Sequence, residues 1–387
     1  MMFLLPQNVL KIFDFLKDFE VYLIGGCVRD LLLHNKPKDF DFTTQATPKE
    51  MLEIFQKHKI KTIDIGIEFG TIALLLDNEV YEITTFREES VYKNFRKPES
   101  IKFSLSLLED TKRRDFTCNA IAYHPQKGII DYHNGQQDLK NKILRAIGDP
   151  KQRFLEDALR ILRAIGFASR FDFEIEELTK QSMLENRELL SFISKERITA
   201  EWEKMLNAPF FAKTFPQFSP IFEVIFKDKI SLPQKLSSDF CLRNAQILKD
   251  SKKLDFINLS KAKKEEIKAY MQWQISTHFK DKIAIKKMLS LYPREWVEKF
   301  LVQDEEKYKI LQEIFEKNET YKIKDLKVNG SDLLAFKGKQ RGEVLQDILD
   351  KVIRGELKNQ REELLKHIAR KLNSYHKATR KNTYKSR

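Results

Sequence analysis

Residues 21–44, VYLIGGCVRDLLLHNKPKDFDFTT, constrain the fold of this chain more than any other stretch. Val21-Tyr22-Leu23-Ile24 is a short apolar run that reads as a buried strand. It breaks at Gly25-Gly26, where backbone can approach a ligand because no Cβ intervenes. Cys27 to Leu33 then reads as a helix that starts directly after the glycines. A strand, a Gly-Gly turn and a helix start make a phosphate site, to which Arg29 adds a cation one turn in. A polar turn, His34 to Lys38, leads to Asp39-Phe40-Asp41-Phe42. On a strand, residues two apart share a face, so Asp39 and Asp41 are expected to project together with Phe40 and Phe42 buried behind them. Paired carboxylates beside a phosphate cradle are what two-metal nucleotidyl transfer requires.

A lone Asp-x-Asp or Gly-Gly pair carries little information, whereas their order here is specific. The run Gly25-Gly26-Cys27-Val28-Arg29-Asp30 followed by Asp39-Phe40-Asp41 resembles the class II tRNA nucleotidyltransferases and bacterial poly(A) polymerases of the polymerase-β superfamily. Within that family the chain is most similar to the bacterial CCA-adding enzymes. The resemblance implies that Asp39 and Asp41 hold Mg²⁺ and that Gly25, Gly26 and Arg29 meet the nucleotide.

Glycine placement and periodicity outline the architecture. Seven of the twelve glycines fall between Gly25 and Gly148, and none lies between 167 and 329. Ile72 to Leu76 and Tyr81 to Phe86, separated by a turn at Asp77-Asn78, predict a hairpin. Beyond about residue 150 the pattern is helical almost throughout. The expected fold is an α/β nucleotidyltransferase head with a polymerase-β-like mixed sheet, followed by an all-α neck, body and tail. The expected boundaries are 1–145, 146–205, 206–327 and 328–387. In the hairpin, Glu82 reads equally as an exposed strand glutamate and as a third carboxylate; the resemblance implies the second.

Residues 87–112 are polar, with a basic-then-acidic cluster, Arg96-Lys97-Pro98-Glu99. They resemble the full-length loop between the first two motifs of CCA-adding enzymes, which is shortened in relatives that add only CC. Arg113-Arg114-Asp115-Phe116-Thr117-Cys118-Asn119-Ala120 matches the family's ribose-selecting motif. It implies Asp115 at the sugar, Arg114 on the nucleotide and Asn119 among the nucleotide-binding residues. Asp131 to Leu139 resembles the family's hinge, where His133 is expected to be structural.

From Arg153 to Ile165 the spacing predicts one helix with Leu155, Ala158, Leu159, Leu162 and Ile165 on its apolar arc and Arg153, Asp157, Arg160 and Arg163 opposite. A charged stripe alone would be read as a solvated face. The resemblance instead places Asp157, Arg160 and Arg163 at the nucleotide. Cytosine and adenine both offer an amino donor beside a ring-nitrogen acceptor, which a carboxylate and a guanidinium complement. Uracil and guanine offer the reverse, so such a pair selects C and A without a nucleic acid template. Gly166 stands where the family commonly has a further Arg. Ile193 to Glu201 resembles a motif that braces the neck, and 328–365 resembles the C-terminal tail segment of bacterial CCA-adding enzymes. No His-Asp dipeptide occurs, so a phosphohydrolase domain is not expected.

Charge identifies the partner class. Residues 1–150 carry 21 Lys/Arg against 22 Asp/Glu, whereas 151–387 carry 49 against 35. A basic body behind a neutral nucleotide site suits a polyanion. The expected partners are the tRNA acceptor arm and 3′ end, with CTP and ATP as substrates. The last 22 residues hold eight Lys/Arg and no acid, and are expected to be a partly disordered tail that contacts RNA. No apolar run approaches the ~18 residues of a membrane span. Three scattered cysteines fit a reducing cytoplasm and form no zinc spacing. No protein partner is evident, and an enzyme adding only CC or only A, a poly(A) polymerase, and a non-catalytic RNA-binding protein are the alternatives.

Overall fold

The computed structural model describes residues 2–89, 92–93, 97–98, 101–275 and 281–385. Its contacts gather into two compact units, Met1–Leu236 with Lys252–Leu259, and Ser237–Ser251 with Ser260–Arg387.

The first unit begins with helix α1 (Gln7–Phe15), whose buried Val9, Ile12 and Phe13 sit at helical spacing. The fully buried run Val21–Ile24 is β1, and α2 (Gly26–Leu32) follows after Gly25. Next come β2 (Phe42–Thr44), α3 (Pro48–Lys57), β3 (Lys61–Gly66), β4 (Thr71–Leu76) and β5 (Glu79–Thr85). Thr47 and Glu50 cap the start of α3 reciprocally, with Pro48 at the first helical position. Asp77 and Asn78 both take positive φ, the two-residue turn whose twist suits a hairpin. With strands Ala122–His124 and Gly128–Ile130 these make a seven-stranded sheet, in the order 128–130, 122–124, β1, β2, β5, β4, β3. Only β2 and β5 run parallel, with Phe42 opposite Ile83, so the sheet is mixed. The sheet edge β3 was not among the expected strands. Its residues are largely exposed on both faces, so no alternation marks it.

Two expectations about local structure need correction. Asp39, Phe40 and Asp41 precede the strand instead of lying on it, and Phe40 is only half-buried while Phe42 is fully so. The expected helix over Arg153–Ile165 is two helices, Pro150–Glu156 and Leu159–Phe171, broken at Asp157 in extended backbone. The reason is local: the Asp157 carboxylate accepts from the Leu159 amide at 3.1 Å, capping the second helix with a side chain that would otherwise sit mid-helix.

Helix Leu159–Phe171 packs against helix Lys195–Leu206, and the latter's Trp202 heads an aromatic cluster with Phe211, Phe222 and Phe226 at 5.2–6.0 Å. The second unit is helical where described. One of its cores joins Val328, Leu333, Phe336, Val344, Ile348 and Leu364. The terminal segment, expected to be partly disordered, is instead the helix Arg361–Lys385, whose Leu364 and Ile368 enter that core.

Candidate functional site

The site starts at Gly25. Its φ of +82° is a conformation side chains rarely adopt, and a Cβ there would lie 3.4 Å from the Arg114 Nη1. The Ile24 amide donates to the Asp41 carbonyl at 3.0 Å, which brings the approach to β2 beside the glycine turn. Because Phe42 pairs with Ile83 in parallel register, Glu82 stands level with Asp41 on the neighbouring strand. Asp39 and Glu82 are exposed, and Asp41 is half-buried. Burial, then the charges of Asp39 and Glu82, push the Asp41 carboxyl up to about 6 against the pull of Arg114.

Those three carboxylates concentrate negative charge, and their hard oxygen donors are of the kind that hold a divalent cation. Among the described residues, the tightest set of potential ligand atoms lies elsewhere, at Asp239, Cys241 and Glu266. There the Lys299 ammonium sits 3.3 Å from Asp239 and 3.2 Å from Glu266, already supplying the positive charge.

The motif at 113–120 is held from below. Asp110, with no exposed side-chain surface, accepts from Arg113 Nε at 2.9 Å, Arg114 Nη2 at 3.2 Å and the Thr43 hydroxyl at 3.1 Å. Burial opposes its ionisation, but the two guanidiniums outweigh that and hold it below the usual carboxylate range. Arg114 is thereby aimed over the glycine turn, and its buried Nε has no hydrogen-bond partner. Asp115 accepts from Arg163 Nε at 2.9 Å and from Asn119 Nδ2 at 3.1 Å, and these offset its burial to lower its pKa as well. Asn119 in turn accepts from Arg29 Nη1 at 2.7 Å. Arg29 is buried, and its other donors go to Asp30 while its guanidinium lies 4.6 Å from the Phe171 ring centre. Its charge is thus matched within the protein. Gly135 of the hinge packs on the same motif: a Cβ there would be 2.3 Å from the Thr117 carbonyl, so only glycine fits.

These groups surround a cavity of about 530 Å³, within the ~300–1,000 Å³ usual for small-molecule sites. Its wall includes Gly25, Gly26, Arg29, Asp41, Arg114, Asp115, Asn119 and Arg163. Asp157 and Arg160 are not in that wall. Asp157 accepts from Arg197 Nη2 at 2.7 Å, and the buried Arg160 donates to Glu156 at 2.8 Å and to the Arg113 carbonyl at 2.8 Å. The wall also contains Gly166, Phe167, Arg170, Glu201 and Lys204, which did not stand out as site residues in the sequence. Phe167 and Arg170 continue the helical face of Arg163 and were legible from spacing. Glu201 and Lys204 arrive from another helix, and no local signal points to them. Cys27 and Cys118 are buried, which pushes both thiols up to about 12 and makes neither a nucleophile.

The chemistry available is that of a glycine turn, crowded carboxylates, a positioned arginine and a buried aspartate around one nucleotide-sized cavity. Residues 21–145 match the family described as "Poly A polymerase head domain", 172–219 the "Probable RNA and SrmB- binding site of polymerase A", and 256–368 a domain 2 of tRNA nucleotidyltransferase. The chain is 35% identical to a CCA-adding enzyme of Enterococcus faecalis, covering 90% of this chain and 91% of that one. It is 31% identical to one of Bacillus velezensis, covering 90% and 94%. Its fold matches the crystal structure of the Bacillus stearothermophilus CCA-adding enzyme in complex with CTP, with a TM-score of 0.77 at 27% identity over 97% of this chain and all of the other. Likeness at that identity over nearly the full length of both chains places this protein in the family of CCA-adding enzymes.

Proposed function

We propose that this protein adds CCA to the 3′ end of tRNA by transferring CMP and AMP from CTP and ATP without a nucleic acid template. The observation that carries the reading is that Gly25, Gly26, Asp41, Arg114, Asp115 and Arg163 all line one cavity. Gly25 and Gly26 let the triphosphate approach the backbone, and Arg114, held by Asp110, is charged and directed to it. Asp115 accepts from the ribose hydroxyls, which selects ribonucleotides. Asp39 and Asp41, with Glu82, would hold Mg²⁺, which when bound supplies positive charge for the attacking 3′-hydroxyl and the leaving pyrophosphate. Asp157 and Arg160 read the base, which requires Asp157 to exchange its Arg197 partner for the amino group of C or A. The head, 1–145, and neck, 146–205, carry the chemistry; the body and tail, 206–327 and 328–387, track the acceptor arm through phosphates and shape.

The test is to incubate the purified protein with tRNA lacking CCA and with CTP, ATP or both, reading products by length. Complete CCA addition is expected. Arrest after CC, a requirement for a CC end, or long A tracts would each replace this reading with another activity of the family, and absence of any incorporation would reduce the chain to an RNA-binding protein.

A further inference from the structure

One stretch of the cavity wall presents charge that the reading above does not use. Its Phe167 ring lies beside both Arg29 and Arg163, at 5.3 and 5.4 Å, and Arg163 holds Asp115. Beyond Phe167 the wall is Gly166 with Glu201 and Lys204 of helix Lys195–Leu206.

Gly166 occupies a helix interior, where glycine costs roughly 1 kcal/mol against alanine. Packing does not require it. A Cβ there would meet Met205 Cγ at 3.5 Å and Glu201 Oε2 at 3.8 Å, both ordinary contacts, and its φ is not positive. The missing side chain leaves the Glu201 carboxylate as the nearest polar group to position 166, 3.8 Å from where a Cβ would stand. That carboxylate is 8% exposed and is matched by Lys204 at 2.8 Å. The other cations of the wall also pair within the protein and are less exposed: Arg29 and Arg170 with Asp30, Arg114 with Asp110, Arg163 with Asp115. Arg170 also lies over the Phe171 ring at 4.8 Å. Lys204 keeps 64% of its side chain exposed at the cavity edge.

We infer that Lys204, held by Glu201 one turn earlier on the same helix and beside Gly166, is a nucleotide-contacting residue that supplies a cation to the cavity. An arginine at 166 would place its guanidinium beside the same carboxylate, so the two positions are alternative sources of one charge. The inference rests on the cavity being the nucleotide site.

The test is Lys204→Ala, with Lys204→Met to keep the aliphatic stem, and Gly166→Arg/Lys204→Ala as the exchange of one cation for the other. KM is measured for CTP on tRNA lacking CCA and for ATP on tRNA ending in CC, alongside equilibrium binding of CTP and ATP to the full chain. Both single variants should raise KM and Kd roughly tenfold, the value of one charge-assisted contact, with kcat and melting temperature close to the parent. The double variant should recover most of that loss. Parental nucleotide KM and Kd in Lys204→Ala and Lys204→Met would overturn the assignment, as would a well-folded double variant that recovers nothing. A parent that binds CTP and ATP but incorporates neither would sink the proposed activity while leaving Lys204 testable by Kd.

Discussion

Asp41 and Asp110 show how differently two carboxylates that feel the same arginine, Arg114, can behave. Asp41 shares its surroundings with Asp39 and Glu82, so its neighbours resist its charge. Asp39→Ala and Asp41→Ala should each abolish nucleotide incorporation and leave tRNA affinity within about twofold, since neither carboxylate favours a polyanion. Near-normal turnover by either variant in a primer-extension assay would refute the metal-holding role. Asp110 faces two guanidiniums, and Asp110→Asn leaves both of them short of a counter-charge, a loss on the order of 3–5 kcal/mol in chemical denaturation. Its folded pKa lies below the unfolded value of about 3.9, so its contribution is present above that value and is lost as pH falls through the folded one. The parent should therefore lose stability below about pH 4 more steeply than Asp110→Asn. Parallel stability curves for the two proteins over that range would contradict the assignment. Asp157→Ala and Arg160→Ala should both admit UTP and GTP; Arg160→Ala should also lower the melting temperature, because the buried Glu156 is left with Arg153 as its remaining cation. Full selectivity in both variants would remove the base-reading role.

At the scale of elements, the hinge and the ribose motif are one packed unit. Helix Gly135–Asn141 approaches Thr117 so closely that Gly135→Ala must push a methyl into a carbonyl oxygen. A cost of roughly 1–3 kcal/mol is expected from such overpacking, together with reduced kcat/KM as the Asp115–Asn119 pair shifts. Thermal melting and steady-state kinetics on the same preparation check both. By contrast Gly166→Ala should raise the melting temperature, since it removes a helix-interior glycine into ordinary contacts. The opposite signs for two glycine-to-alanine changes follow from what a Cβ would touch, not from the residue type.

For the whole molecule, the terminal helix decides which part of the basic end is structural. Leu364 and Ile368 are core residues, and Lys371 and His367 pair with Asp347, so truncation at 366 would damage the second unit. Removing residues 376–387 takes five Lys/Arg and spares that core. If about six to ten phosphates are contacted, tRNA affinity should fall roughly 10³–10⁵-fold between about 50 and 200 mM salt. The truncated protein should show a shallower salt slope and a higher KM for tRNA with kcat little changed. A salt titration that superimposes on the parent's would confine RNA binding to other residues.

The sequence by itself determined the elements whose signal is local: the strand into Gly25-Gly26, the Asp77-Asn78 hairpin, the helical second half and the run from Arg113 to Ala120. Each rests on a backbone conformation or a periodicity that a few neighbouring residues impose, and β3 was missed because exposure on both faces erases that periodicity. Tertiary structure decided which charges meet. Arg29 takes Asp30 and Asn119 as partners in the cavity wall, and Asp157 and Arg160 take Arg197 and Glu156, none of which the local pattern announces. Lys204 enters the cavity only because helix Lys195–Leu206 packs on helix Leu159–Phe171 beside a glycine. Charge is long-ranged and its partner is set by packing, so residues distant in the chain are brought together by a core whose own pattern says nothing about them.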